Sequence, residues 1–257
     1  MHTIRISSDN RVGYITLNRP EKRNALSPEM VGELKQALEE CRQEKGTKAI
    51  VLQAEGKVFC AGADLAYLKQ LQTNTYAENL EDSLQLKGLF EAVYTCPKPV
   101  IAQVHGHALA GGCGLANVCD FVFSVPEAKF GYTEVRIGFV PAIVMFFLLR
   151  KVGEARAKEL LLSGELIKAG KAYEYGLVNY LAEKEDLAFQ VKEFAESLAN
   201  KNSGQSMALV KEMTNKIQMM DMEKGLYYAA EMNAEARSYE DCKRGIEAFL
   251  NKEKLEW

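Results

Sequence analysis

The sequence predicts an α/β fold, and three observations predict it. Strand and helix signals alternate through residues 1–130, the connections between them are short, and two strand-to-helix crossings end in clusters of glycine and alanine. Toward the C-terminus the strand signals stop: "QVKEFAESLANK", "GQSMALVKEMTNKIQ", "MEKGLYYAAEMNAEARS" and "YEDCKRGIEAFLNK" all read as helices. We therefore expect an α/β body over residues 1–197 and a helical segment over 198–257 that packs on the body or on a neighbouring copy. With 257 residues and 47% hydrophobic content, the chain can bury a large core.

Each element has its own signal. "RVGYITLNRP" carries the β-branched and aromatic content of a strand and stops at Pro20. "SPEMVGELKQALEECRQEKG" has Ser27 as N-cap, Pro28 at the first helical position and an end near Gly46. Its apolar residues Met30, Val31, Leu34, Ala37, Leu38 and Cys41 recur at helical spacing. "KAIVLQAEG" is a short buried strand, and "FCAGADLAYLKQL" a loop that opens into a helix. "NLEDSLQLKGLFEAVYTCP" is amphipathic and ends at Pro97 and Pro99; "PVIAQVHG" is the next strand, and "HALAGGCGLANVCD" follows it.

Bulk properties exclude several functions. A net charge of -3 argues against a general nucleic-acid binder, which needs a basic face. No stretch approaches the roughly 18 apolar residues of a membrane span, since "FVPAIVMFFLL" is too short and starts around a proline. "MHTIRISSDN" lacks the apolar segment of a secretion signal, so a cytoplasmic location is expected. The six cysteines contain no C-x-x-C pair and read as reduced thiols, with Cys60, Cys113 and Cys119 in apolar or small-residue surroundings. His105 and His107 find no acidic or cysteine partner at a ligand spacing, so no metal is expected.

The two crossings, "KAIVLQAEGKVFCAGADLAYL" and "KPVIAQVHGHALAGGCGLANVCD", each end in small residues at a helix start. There the first backbone N–H groups lack intrahelical partners, and small residues let a ligand approach the chain. Side by side on one sheet, one N–H from each could hold a single oxygen as a thioester carbonyl becomes an enolate. Glycines that merely permit tight packing would explain either turn alone. In "AKFGYTEVRIGFVPA", Glu134 sits in an apolar neighbourhood where burial would raise its pKa and suit it to proton exchange; pairing with Arg136 at the surface is the alternative.

"FCAGADL", "KPVIAQVHGHALAGGCGLANVCD", "AKFGYTEVRIGFVPA" and "LLLSGELIKAGKAYEYGLVN", with "ITLNRPEKRNALSPEM" before them, resemble consecutive signatures of the enoyl-CoA hydratase/isomerase (crotonase) superfamily. The resemblance implies a crotonase-type spiral of ββα units, a helical C-terminal segment, and homotrimers or hexamers built as dimers of trimers. It implies an acyl-CoA thioester substrate, with coenzyme A as part of that substrate and no separate cofactor. Carried over by position, the oxyanion amides are those of Ala63 and Gly111, and the proton carrier is Glu134. Ala61, Gly62, Asp64 and Leu65 would meet coenzyme A along the backbone, with Arg23 and Ala25 lining the entry. Arg19, Lys22 and Arg23 form a basic cluster suited to its phosphate, and Phe249 and Lys252 fall where the family closes the site, in some cases from an adjacent subunit.

One departure stands out. Family hydratases carry a glutamate in "GGG-x-E-L-A", and that position is Gly114 here. A single acid serves two reactions: hydration, with Glu134 orienting water and returning its proton, or 3-enoyl to 2-enoyl isomerisation through the enolate. "GG-x-x-GL", the cysteine-aspartate pair after it and "EVRIGFVPA-I" resemble the single-glutamate branch of methylglutaconyl-CoA and isohexenylglutaconyl-CoA hydratases, which favours hydration of a branched or glutaconyl-type acyl group. The bulky "PAIVMFFLLRKVG" implies an acyl pocket unlike that of a short straight-chain hydratase. A distal carboxylate would need a cation, for which Arg136, His105 and Lys151 are candidates. Two further readings compete: a non-catalytic acyl-CoA-binding protein, and thiol chemistry by Cys113 at the start of its helix.

Overall fold

The computed structural model describes residues 1–257. It opens with a hairpin of which the sequence reading gave only the second strand: β1 (Ile4–Asp9) and β2 (Val12–Leu17) pair antiparallel. Both residues of its two-residue loop, Asn10 and Arg11, have positive φ, as a turn matched to strand twist requires. Next comes α1 (Pro28–Gln43), where the Ser27 hydroxyl accepts from the Met30 amide and Pro28 begins the helix. Its six buried side chains are the six that recur at helical spacing.

A repeated unit follows. β3 (Ala49–Ala54) and β4 (Val58–Cys60) lead into α2 (Leu65–Leu71) and α3 (Tyr76–Thr95); β5 (Val100–Val104) and β6 (His107–Leu109) lead into α4 (Gly111–Val118); β7 (Phe121–Ser124) and β8 (Lys129–Gly131) lead, through a short 3-10 turn at Glu134–Ile137, into α5 (Ala142–Ser163), which Gly153 interrupts. The first strand of each unit joins a six-stranded sheet ordered β1-β2-β3-β5-β7-β10, and the second joins a four-stranded sheet ordered β4-β6-β8-β9. Within each unit the chain steps from one sheet to the other before its helix, which produces the expected spiral of ββα units. Three-residue strands are too short to show a period of two, which is why the sequence gives β4, β6 and β8 no strand signal of their own.

β9 (Ile167–Lys168), α6 (Ala169–Glu174) and β10 (Tyr180–Leu181) add one edge strand to each sheet. Four helices close the chain: α7 (Leu187–Lys201), α8 (Gly204–Ile217), α9 (Met222–Ala236) and α10 (Glu240–Asn251). The expected boundary at 197/198 falls inside α7, and the core explains why. Leu187, Val191, Ala195 and Ala199 of α7 belong to the same buried cluster as both sheets, whereas α8, α9 and α10 contribute nothing to it. The helical segment proper thus begins after α7. α8 is tied to the body by Lys211, which pairs with Asp120 at 2.6 Å and donates to the carbonyls of Val93 and Lys98. No helix is long and apolar enough to cross a membrane.

Candidate active site

The ladder between β4 and β6 aligns Val58 with His107 and Cys60 with Ala108, so the turns leaving these two strands emerge together. On the β4 side, Leu26 and Ala63 form an isolated parallel bridge: the Leu26 amide donates to the Gly62 carbonyl and the Asp64 amide to the Leu26 carbonyl. Amides alternate sides along an extended segment, so the Ala63 N–H faces away from Leu26 and has no acceptor in the chain. On the β6 side, Ala110 adopts φ 52° and ψ -126°, a conformation that strains any residue with a Cβ, and its amide is held by the Gly131 carbonyl at 2.7 Å. Gly111 is then the first residue of α4, with no acceptor for its amide inside the helix. The two turns touch. A side chain on Gly62, where φ is 91°, would come within 2.7 Å of Ala110 Cβ and 3.3 Å of the Gly111 nitrogen.

Glu134 begins the 3-10 turn after β8, whose Gly131 pairs with Leu109 of β6; the acid and the α4 turn therefore share one sheet. It is half-buried and makes no ion pair with Arg136. Burial raises the carboxyl above the usual carboxylate range against the lowering effect of its own backbone N–H, and Oε2 is buried with no hydrogen-bond partner. A desolvated acid of this kind holds its proton more tightly than an exposed carboxyl, which suits it to proton exchange.

At Gly114 the structure accounts for the missing acid. An added Cβ would lie 2.8 Å from Val144 Cβ, closer still to a Val144 methyl, and 3.3 Å from a Phe90 ring carbon. Both side chains are buried, so the wall facing this turn of α4 is hydrocarbon from α5 and α3.

The coenzyme A candidates fall into three groups. Ala61, Gly62, Ala63, Asp64 and Leu65 are contiguous at the α2 turn, with Leu65 largely exposed, and the Ala61 amide donates to the Arg23 carbonyl, bringing Arg23 and Ala25 to the same place. Asp64 itself is engaged: its carboxylate caps α2 through the Ala66 and Tyr67 amides and pairs with Arg19 at 2.9 Å. Burial opposes its ionisation, but those amides and Arg19 hold its pKa below the usual range. The basic cluster is thereby reduced, since Arg19 is committed to Asp64 and only Lys22 and Arg23 stay exposed. Phe249 and Lys252 end α10, and Phe249 faces a groove lined by Pro99, Phe121 and Leu198, with none of the α2-turn residues. One chain does not bring these two to the rest of the set.

Two of the three candidate cations for a distal carboxylate are committed to backbone carbonyls. Lys151 is half-buried, desolvation pushes its pKa down, and its ammonium donates to the carbonyls of Asn117 and Cys119 at the end of α4. His105 bonds the Gly56 carbonyl, and Arg136 packs its stem over Gly164. Cys113 is no nucleophile: burial pushes its thiol up to about 12, as it does those of Cys60 and Cys119. Sequence reasoning missed the strain at Ala110, the plug at Gly114 and the Lys151 cap. Only the bulk of "PAIVMFFLL" hinted at the plug.

The ββα spiral, the touching helix starts with two unused amides and the half-buried carboxyl after β8 agree with what the crotonase resemblance implies. The chain belongs to the enoyl-CoA hydratase/isomerase family, whose profile matches residues 7–257. It is similar to a Thermus thermophilus protein provisionally named an enoyl-CoA hydratase, 47% identical over 94% of this chain and 95% of that one. It is also similar to the short-chain-enoyl-CoA hydratase of Clostridium acetobutylicum, 32% identical over 100% and 97% of the two chains. Among solved structures, an enoyl-CoA hydratase from Shewanella pealeana superimposes with a TM-score of 0.94 at 29% identity, covering 100% of this chain and 96% of that one.

Proposed function

We propose that the protein adds water to a 2-enoyl-CoA thioester using the Ala63 and Gly111 amides as an oxyanion hole and Glu134 as its only acid. The observation that carries this is two unpaired amides at touching turns, with a desolvated carboxyl on the 3-10 turn that follows the adjoining strand β8. The amides take up charge as the thioester carbonyl becomes an enolate oxygen. Ionised Glu134 orients a water and takes its proton as the hydroxide adds at C3, then returns that proton to C2. One carboxyl thus ends the cycle as it began.

The same groups would serve a 3-enoyl to 2-enoyl isomerase, with Glu134 moving a proton from C2 to C4. Turnover in oxygen-18 water separates the two: label in a 3-hydroxyacyl product supports hydration, and double-bond migration without label selects the isomerase. For the acyl group we favour a branched chain, because hydrocarbon fills the Gly114 wall. A glutaconyl carboxylate would have to recruit Arg136, since Lys151 and His105 are spent on backbone carbonyls. A side-by-side assay of crotonyl-CoA, 3-methylglutaconyl-CoA and a 3-enoyl-CoA, with products identified by mass, decides among these.

The C-terminal helices expose Val210, Met222, Leu226, Tyr227, Ile246 and Phe249, a large apolar surface for a lone chain. This favours the expected homotrimer or hexamer, with Phe249 and Lys252 reaching a neighbour's coenzyme A; a cytoplasmic location is part of the same reading. Light scattering of a chain truncated after Gly225 tests it, with smaller or aggregated species as the supporting outcome.

A further inference from the structure

Beside the acid lies a polar group that the proposed chemistry does not use. The Tyr132 ring is fully buried, and its hydroxyl is enclosed with no oxygen or nitrogen partner, the weakly accepting Cys113 thiol being the polar group beside it. Phenylalanine would fill the same space without a desolvated hydroxyl, so the oxygen weakens the fold rather than strengthening it. Buried polar groups that break the pairing rule concentrate where function demands them. Tyr132 is placed for such a demand. Its preceding residue, Gly131, holds the strained Ala110 through a 2.7 Å bond, and its hydroxyl lies against the thiol of Cys113 in the first turn of α4. Two residues on, Glu134 presents the other unpaired buried oxygen of this loop.

We infer that Tyr132 is a positioning residue for Glu134: its hydroxyl, buried beside the Cys113 thiol two residues before the acid, is the donor that steadies the carboxylate when the proton leaves. Burial keeps the phenol protonated far above neutrality, so it can only donate to an anion. The other groups bearing on this pocket do not compete. The Cys113 thiol stays neutral, Lys151 of α5 is bound to two carbonyls, and Arg136 turns to Gly164. The inference rests on Glu134 being the acid of the proposed hydration.

The test is Tyr132→Phe in the full-length protein, measured for melting temperature, kcat, KM and the pH dependence of kcat/KM. We expect a melting temperature unchanged or raised, a KM within twofold of wild type, a kcat reduced tenfold or more, and an acid limb shifted to higher pH. The limb moves up because an anion that loses its donor holds its proton more tightly. A stable variant with kcat within twofold and an unmoved limb overturns the inference. A kcat loss accompanied by a lowered melting temperature and an unmoved limb also overturns it, because that is the signature of packing alone. Glu134→Gln, assayed in parallel, separates the two claims: if it turns over normally the acid assignment itself has failed, and if it is inactive while Tyr132→Phe is normal only the tyrosine's role has.

Discussion

The two helix starts that meet at Gly62 and Gly111 differ in how firmly the protein holds them. At α4 every residue from Gly112 to Val118 is buried, the far end is capped by Lys151, and Ala110 is forced into a strained turn by the Gly131 carbonyl. At α2 no side chain is buried. That helix is held by the Asp64 cap, the Arg19 pair and a 2.6 Å bond from the Tyr67 hydroxyl to Asp82. One amide therefore stands on a rigid frame while its partner rides on a segment with little packing to lose. Oxyanion stabilisation needs both donors in place when charge develops, but substrate must also enter, and the lightly anchored half is the one flanked by the proposed coenzyme A residues.

That contrast can be broken most forcefully from the rigid side. Gly114→Glu would restore the family's second acid in sequence, yet its side chain meets Val144 and Phe90. Overpacking plus an unpaired buried carboxylate should cost more than about 3 kcal/mol in denaturant unfolding, with no gain in hydration rate. A stable, faster variant would show that the α4 wall is not rigid. Gly62→Ala probes the junction, where positive φ and the approach to Ala110 Cβ both oppose a side chain. It should cost about 2 kcal/mol and, by separating the amides, reduce kcat at least tenfold. On the loose side, Asp64→Ala removes a helix cap worth about 1 kcal/mol. Because α2 shares little packing with the core, the change should appear as a raised KM with a small shift in melting temperature. A large fall in melting temperature would place α2 on the same footing as α4.

The smallest effect concerns stability and pH. The folded-state pKa of Glu134 is raised by burial, so the unfolded chain gives up that proton at lower pH than the folded one. The wild type therefore loses stability as pH rises from the unfolded value through the folded one. Glu134→Gln should melt at the same temperature as wild type in acid and slightly higher at neutral pH, the gap opening across that interval. A gap that closes as pH rises would mean the carboxyl is stabilised as an anion instead.

Legibility in the sequence followed the same physical division. α1 could be read almost to the residue because its pattern is local: a serine cap, a proline at the first position and one apolar face. The two glycine turns were legible because small residues at a helix start advertise close approach, and Glu134 because a lone carboxyl among apolar neighbours does. What escaped was set by distant partners. The three-residue strands exist through their neighbours in the second sheet, and the end of the body is fixed by α7 packing into the core rather than by composition. Nothing in "HALAGG" marks Ala110, and not a glycine, as the residue bearing positive φ. The role of Lys151 depends on two carbonyls more than thirty positions away in the chain.

The most direct measurement is turnover and acyl-CoA binding by Glu134→Gln, an isosteric change that removes only the exchangeable proton. A lone acid working over two backbone amides predicts kcat/KM lowered by about a thousandfold or more, with binding of an unreactive acyl-CoA within a fewfold of wild type. Turnover within tenfold of wild type, at unchanged binding, would contradict it.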